Sequence, residues 1–221
     1  MVACMGLISS PVFGLSILVA PGASPVVNIV PRLIALGHTV QESDPSTWDA
    51  LFDYSAYDVV AFQFLSSDPA DISHLVNAVD AEEIGVVFFR GAVATATALG
   101  LISSSSFDYQ SAYPLSIVDN SHPITQFFQI TTYELGYGNM THVIDPGVNT
   151  TILANGVDGA ALVVHNTRSV VATPYYGAYW EDDIEIEAGL AITDNCLMWA
   201  AGEPVTVQQM TWGTVKSLYA D

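Results

Sequence analysis

The stretch Leu15-Ser16-Ile17-Leu18-Val19-Ala20-Pro21-Gly22 opens an alternation of strands and helices that decides the fold. A continuous apolar run that ends in a Pro-Gly turn is typical of a buried parallel strand. The segment 25–36 follows with apolar residues at helical spacing and stops at Gly37, so it predicts a helix, kinked at Pro31.

The same alternation continues as far as residue 102. Short apolar runs predict strands and amphipathic runs predict helices, in the order strand 39–42, strand 58–64, helix 71–79, strand 84–89 and helix 91–101. Strands that are joined by single helices form right-handed crossovers, which build a parallel sheet with helices on both faces. We therefore predict an α/β fold: a flavodoxin-like three-layer sandwich with a mainly parallel central sheet.

The pattern changes after Ile102. Five short strands are predicted to extend the sheet or to form antiparallel hairpins at its edge, at 113–118, 141–144, 151–153, 160–164 and 169–173. The last strong helix is predicted at 186–200, and 211–219 is expected to add one or two helical turns. The resulting division is an apolar N-terminal arm at 1–14, the α/β domain at 15–202 and a C-terminal tail at 203–221.

Composition limits the possible partners and compartment. The 221 residues are 51% hydrophobic, enough for one full core, and their formal net charge of −19 makes nucleic acid a poor partner. No apolar run reaches the roughly 18 to 20 residues that a membrane span needs. Four basic residues among many Ser, Thr, Asn, Gly and Tyr residues favour an extracellular or cell-surface location. Sequons at Asn139 and Asn149 are candidate glycosylation sites.

Three passages resemble the class I glutamine amidotransferase-like superfamily in its divergent, ThuA-like branch. They are the opening strand 17–20 with the strand 57–62, the passage 117–125 with its His-Pro-Ile-Thr turn, and the terminal helix 195–202. The resemblance implies a catalytic cysteine on a sharp elbow after a central strand. The matching place here is Phe88-Phe89-Arg90-Gly91-Ala92-Val93-Ala94, which holds neither cysteine nor serine. We therefore expect no glutaminase activity, and an enzymatic role is not favoured.

The histidines and cysteines give little sign of a metal or catalytic centre. The five histidines are isolated, and Cys4 and Cys196 lack metal-ligand spacing. Cys196 is interpreted as a buried core thiol. For His122, in the His-Pro-Ile-Thr turn, the favoured interpretation is that its imidazole bonds to backbone and fixes the turn, and the alternative is acid-base chemistry.

An acidic cluster precedes the last predicted helix. Glu181, Asp182, Asp183 and Glu185 offer oxygen ligands that suit calcium, the only cofactor considered, although they lack the spacing of a dedicated calcium loop. The favoured interpretation is a solvated helix start, where acids suit the positive end of the helix dipole. Arg90 and Arg168 are candidate partners for this charge.

An aromatic cluster lies just before these acids. Tyr175, Tyr176, Tyr179 and Trp180 either stack on sugar rings or form a protein interface if exposed, or close the sheet edge if buried. The sequence does not distinguish these alternatives.

Three classes of function remain. The first is a non-catalytic extracellular or surface module that assembles with itself, as a homo-oligomer or a helical filament, and carries or binds glycans. The arm at 1–14 would then add to a neighbour's sheet edge, although folding back over its own domain is almost equally favoured. The second is a hydrolase of sugars or amides with a relocated site, for which Asp119, His122 and Thr95 are the candidates. The third, an intracellular sugar-metabolism protein of the ThuA type, is disfavoured by the composition.

Overall fold

The structure is a computed structural model, and it describes residues 14–22, 29–63, 65–89, 91–103, 108–110, 115–133, 141–156, 159–172 and 184–205. Side chains of Arg32, Ala35, Tyr133 and residues 108–110, 141–143 and 184–190 lie outside this description. The predicted arm and most of the tail also fall outside it.

Five strands form the parallel part of the main sheet. They are β1 (Ser16–Ala20), β2 (Thr39–Glu42), β3 (Val59–Phe62), β4 (Gly85–Phe88) and β11 (Val170–Ala172). They lie side by side in the order β2-β1-β3-β4-β11, and every pair is parallel. Because all their carboxyl ends meet at one edge of the sheet, the loops that follow them are neighbours.

Four strands continue this sheet as an antiparallel side. They are β6 (Leu115–Ile117), β7 (Thr132–Tyr133), β9 (Thr150–Asn155) and β10 (Ala160–His165), and they follow β11 in the order β10-β9-β6-β7. Two further strands, β5 (Asp108–Gln110) and β8 (Thr141–Val143), pair with each other in a small separate sheet. Among the described strands, β2 and β7 are therefore the two edges of the main sheet.

Four helices cover the two faces. They are α1 (Val30–Ala35), α2 (Ile72–Asp80), α3 (Val93–Ala98) and α4 (Ile184–Ala200). Leu33 of α1 and Cys196 of α4 belong to one core layer, while Leu75 of α2 and Ala96 of α3 belong to the other. All four of these side chains are fully buried. The predicted α/β three-layer, flavodoxin-like fold is confirmed, as is the buried position of the Cys196 thiol.

Each of these helices ends with the same pair of backbone bonds. At the end of α2, the Glu82 amide donates to Val79 and the Glu83 amide donates to Ala78. This pattern places one residue in the left-handed region, which is usually glycine. It is glycine at 37, 100 and 202, but in α2 it is Glu82, with a φ of 59°.

The structure differs from the sequence-based expectations at three points. Pro31 lies in the first turn of α1, where its missing amide costs no helical bond, so it does not kink the described helix. Strand β11 does not extend the edge but enters the middle of the sheet beside β4. The short strands β5 and β7 were not predicted, because two or three residues are too few to show an alternating pattern. No described helix has the length and apolar character needed to cross a bilayer.

Candidate functional site at the elbow after β4

The connection between β4 and α3 is a sharp elbow at the carboxyl edge of the parallel strands. Ala92 lies in it with φ 49° and ψ 54°, a left-handed conformation that costs a non-glycine residue roughly 1–2 kcal/mol. Its methyl group is buried, with 2% of the residue exposed. The chain therefore keeps a strained elbow and places a methyl group at its apex.

The loop after β3 holds this elbow from the side. The Ala92 amide donates to the Ser66 carbonyl at 3.0 Å. A Cβ added to Gly91 would collide with the Ser66 hydroxyl and the Gln63 carbonyl. Glycine is thus required at 91 by the close approach of two backbone segments, and this contact fixes the position of Ala92.

An aspartate from the same loop caps α3. Ala92 supplies no side-chain cap, and Asp68 Oδ1 instead accepts from the Thr95 amide at 2.8 Å and from the Thr95 hydroxyl at 2.7 Å. Thr95 is fully buried. Its hydroxyl is therefore committed to holding Asp68 at the helix start, which argues against Thr95 as a nucleophile.

Ser66 is the unusual polar group of this elbow. The residue is 7% exposed, and its hydroxyl has no hydrogen-bond partner among the described residues. Leaving a buried hydroxyl unpaired costs about 1–3 kcal/mol. In the sequence, residues 66–69 are only a short polar stretch between the predicted strand 58–64 and the predicted helix 71–79, and nothing in it indicates a contact with the elbow.

The His-Pro-Ile-Thr turn is a rigid structural corner. His122 Nδ1 accepts from the Ile124 amide at 3.3 Å, and its ring lies edge-on to Trp199 with centroids 5.1 Å apart. Thr125 donates to the Asp119 carbonyl at 2.6 Å. Burial lowers the pKa of His122, and the Asp119 carboxylate partly opposes this shift. Hydrogen bonds from the Ser121 hydroxyl and amide lower the pKa of Asp119. These contacts agree with the interpretation that His122 fixes the turn.

The residues proposed for a relocated hydrolase site are not brought together. Thr95 lies in α3, just after the carboxyl end of β4. Asp119 and His122 follow β6, which runs against β4, β9 and β11, so its carboxyl end lies at the opposite edge of the sheet. The Trp199 contact agrees, because Ala200 beside it meets Gly85 at the amino end of β4. These three residues therefore do not form one active site.

Arg168, in the turn after β10, connects this turn to the ends of α2 and α3. Arg168 contacts Asp80 at 2.7 Å and donates to the Leu99 carbonyl at 2.7 Å. Arg168 is therefore paired with Asp80 of α2, and the acidic cluster suggested as its partner lies outside the described residues. His165, at the end of β10, is buried, and burial and then the nearby Arg168 charge lower its pKa.

Most of the remaining candidate residues lie outside the described residues. These are Arg90, Asn139, Tyr175, Tyr176, Tyr179, Trp180, Glu181, Asp182, Asp183 and the side chain of Glu185. Strand β11, the last described element before the aromatic cluster, ends at Ala172, level with Phe88. Asn149 is described and exposed. In the described ranges, no three His, Cys, Asp or Glu residues are grouped to hold a metal ion.

Comparisons with known proteins identify the fold. No protein-family model matches the chain, and no curated protein sequence matches it. Among solved structures, a ThuA-like protein from Bacteroides uniformis is similar with a TM-score of 0.59 and 11% identity over 92% of this chain and 99% of that one. A ThuA-like protein from Parabacteroides merdae gives 0.58 and 17%, over 87% of this chain and 92% of its own. A glutamine amidotransferase from Thermotoga maritima gives 0.51 and 9%, over 86% and 97%. This chain therefore has the fold of the class I glutamine amidotransferase-like superfamily, as the three resembling passages predicted.

Proposed function

We propose that this protein is a non-catalytic member of its fold that serves as an extracellular or cell-surface module and assembles with itself. The observation that carries the non-catalytic part is Ala92. It occupies the strained, buried apex of the elbow, the position that the resemblance assigns to a nucleophilic cysteine. A methyl group cannot attack a carbonyl, and the neighbouring Thr95 hydroxyl is already bonded to Asp68.

Exposed apolar residues support the proposed self-assembly. The described residues include apolar side chains that are largely exposed, among them Ile130 at 63% and Val148 at 96%. The arm at 1–14 adds large apolar residues, among them Val2, Met5, Leu7, Ile8, Val12 and Phe13. Exposed apolar surface favours binding of a partner. Because the net charge of −19 makes identical copies repel one another, assembly requires a contact surface without charge.

The proposed location follows from composition and from the sequons. Only 4 Lys and Arg residues occur in 221, and Asn149 is exposed at the first position of its sequon. A glycan at Asn149 would face solvent without disturbing the core. Mass measurement of the native protein tests this part, since an added hexose series is expected and an unmodified mass would contradict the use of both sequons.

An activity assay tests the non-catalytic part. We expect the purified chain to hydrolyse neither glutamine nor simple amide and glycoside substrates above background. Ser66→Ala, Thr95→Val and Cys196→Ser variants are the controls. Hydrolysis that survives repeated purification and disappears in one of these variants would show that the chain is an enzyme with its site at that residue.

A further inference from the structure

The edge strand β7 and the turn before it form an exposed apolar rim, which we define as Val118, Phe127 and Ile130. These side chains are 43%, 47% and 63% exposed. Ser116 pairs with Thr132, and the Ile117 amide donates to the Thr131 carbonyl. Continuing this register brings Val118 opposite Ile130 beside the edge strand, and Phe127 lies in the turn three residues before Ile130.

The rim is held in place by buried contacts. Ile124 is fully buried, and the Asn195 side-chain amide donates to its carbonyl at 2.8 Å from α4. The Phe128 amide donates to Thr125, and Phe128 packs on the core. Because this turn is anchored, presenting Phe127 to a partner costs little ordering entropy.

The rim also carries little charge, since Asp119, next to Val118, is the only Asp, Glu, Lys or Arg residue between 118 and 133. Residues 120–133 contain no Asp, Glu, Lys or Arg, in a chain that has 23 acidic residues. Two copies of this acidic chain therefore repel least where such a rim is the contact. Within the described part of the chain, β7 pairs only with β6, and an edge strand of this kind presents backbone groups that can pair with another strand.

We propose that the rim and the β7 edge receive residues 1–13 of the arm from a second copy of this chain. This rests on the proposed self-assembly and names its contact. The arm would add a strand to β7, with backbone bonds giving affinity and its Val, Leu, Ile and Phe side chains covering the rim.

Distance favours a second copy over the same copy. The described chain begins at Gly14, and bonds from Leu15 to His38 and from Ser16 to Asp58 fix the start of β1. Seven strand steps separate β1 from β7, which is about 34 Å at ~4.8 Å a step. Thirteen extended residues reach about 44 Å, so an arm crossing its own sheet would keep only about three residues to pair. A neighbour's arm has no such limit, and the contact is head-to-tail.

Light scattering on full-length chains tests this contact. We compare the wild type with Ile130→Asp, a chain lacking residues 1–13, and the matched control Leu51→Asp, which puts the same charge on an exposed leucine elsewhere. Ile130→Asp and the truncated chain are expected to associate at least tenfold more weakly and to approach 23.6 kDa, while Leu51→Asp assembles like the wild type. Circular dichroism checks that each variant folds.

Each of the other possible outcomes contradicts one part of the proposal. If the truncated chain is monomeric but Ile130→Asp assembles normally, the rim is not the receiving surface, and the proposed self-assembly stands. If Ile130→Asp is monomeric but the truncated chain assembles, the arm is not the occupant. If the wild type is monomeric at every concentration, the proposed self-assembly itself fails. A peptide of residues 1–13 gives a second measurement, since it should shorten wild-type assemblies and leave Ile130→Asp unchanged.

Discussion

Replacing Ser66 by alanine should stabilise the protein, although most substitutions of buried residues destabilise. The hydroxyl is buried without a partner in the described structure, and such a group costs about 1–3 kcal/mol. Alanine removes the hydroxyl and leaves a small void, which offsets part of the gain. We expect a net increase of about 1 kcal/mol in the free energy of unfolding, or about 2–4 °C in Tm for a chain of this size.

Thr95→Val is the matched control, because it removes a hydroxyl from the same elbow that does have a partner. The lost bond to the Asp68 carboxylate should lower the free energy of unfolding by about 1.5–3 kcal/mol. Urea denaturation followed by tryptophan fluorescence measures both variants. If Ser66→Ala destabilises as much as Thr95→Val, the Ser66 hydroxyl has a partner in solution and the reasoning about this elbow is wrong.

Three further predictions concern the helix ends, the histidines and Arg168. Glu82→Gly should raise the free energy of unfolding by about 0.5–1 kcal/mol in urea denaturation, because glycine adopts a φ of 59° without strain; a decrease would contradict this. Burial lowers the pKa of His38, His122 and His165, so their neutral forms are favoured in the fold. The contribution of these histidines to the free energy of unfolding should be complete above about pH 6.5 and decrease below it, by at most about 1.4 kcal/mol per pH unit for each histidine. A free energy of unfolding that does not change between pH 7 and 5 would refute this. Arg168→Met should lower Tm measurably at low salt, since it leaves the Leu99 carbonyl without its donor, and an unchanged Tm would show that this contact adds nothing.

The sequence predicts the parallel half of the fold well because each element there carries its own signal. The run around Ile17 and Leu18 is buried on both faces, so it reads as a continuous apolar strand, and Asp71 caps α2 where the amphipathic pattern begins. The second half is harder because its strands have as few as two residues and pair out of sequence order. Nothing local in residues 170–172 indicates that β11 lies between β4 and β10.

The candidate site is also only partly predictable from the sequence. The absence of a nucleophile can be read from Gly91-Ala92-Val93 alone, because it depends only on residue identity. The contacts that hold the elbow cannot, since Ser66 and Asp68 meet Ala92 and Thr95 across 26 and 27 residues of chain. The sequence also does not show that Asp119 and Thr95 lie at opposite edges of the sheet. This follows only from the direction of β6, which runs against the parallel strands.

The most direct test of self-assembly is to image the full-length native protein by electron microscopy at physiological salt, with light scattering on the same sample. The account predicts regular oligomers or filaments whose mass rises with concentration in multiples of 23.6 kDa. Single particles with a constant mass of one chain, at every concentration up to the solubility limit, would contradict it.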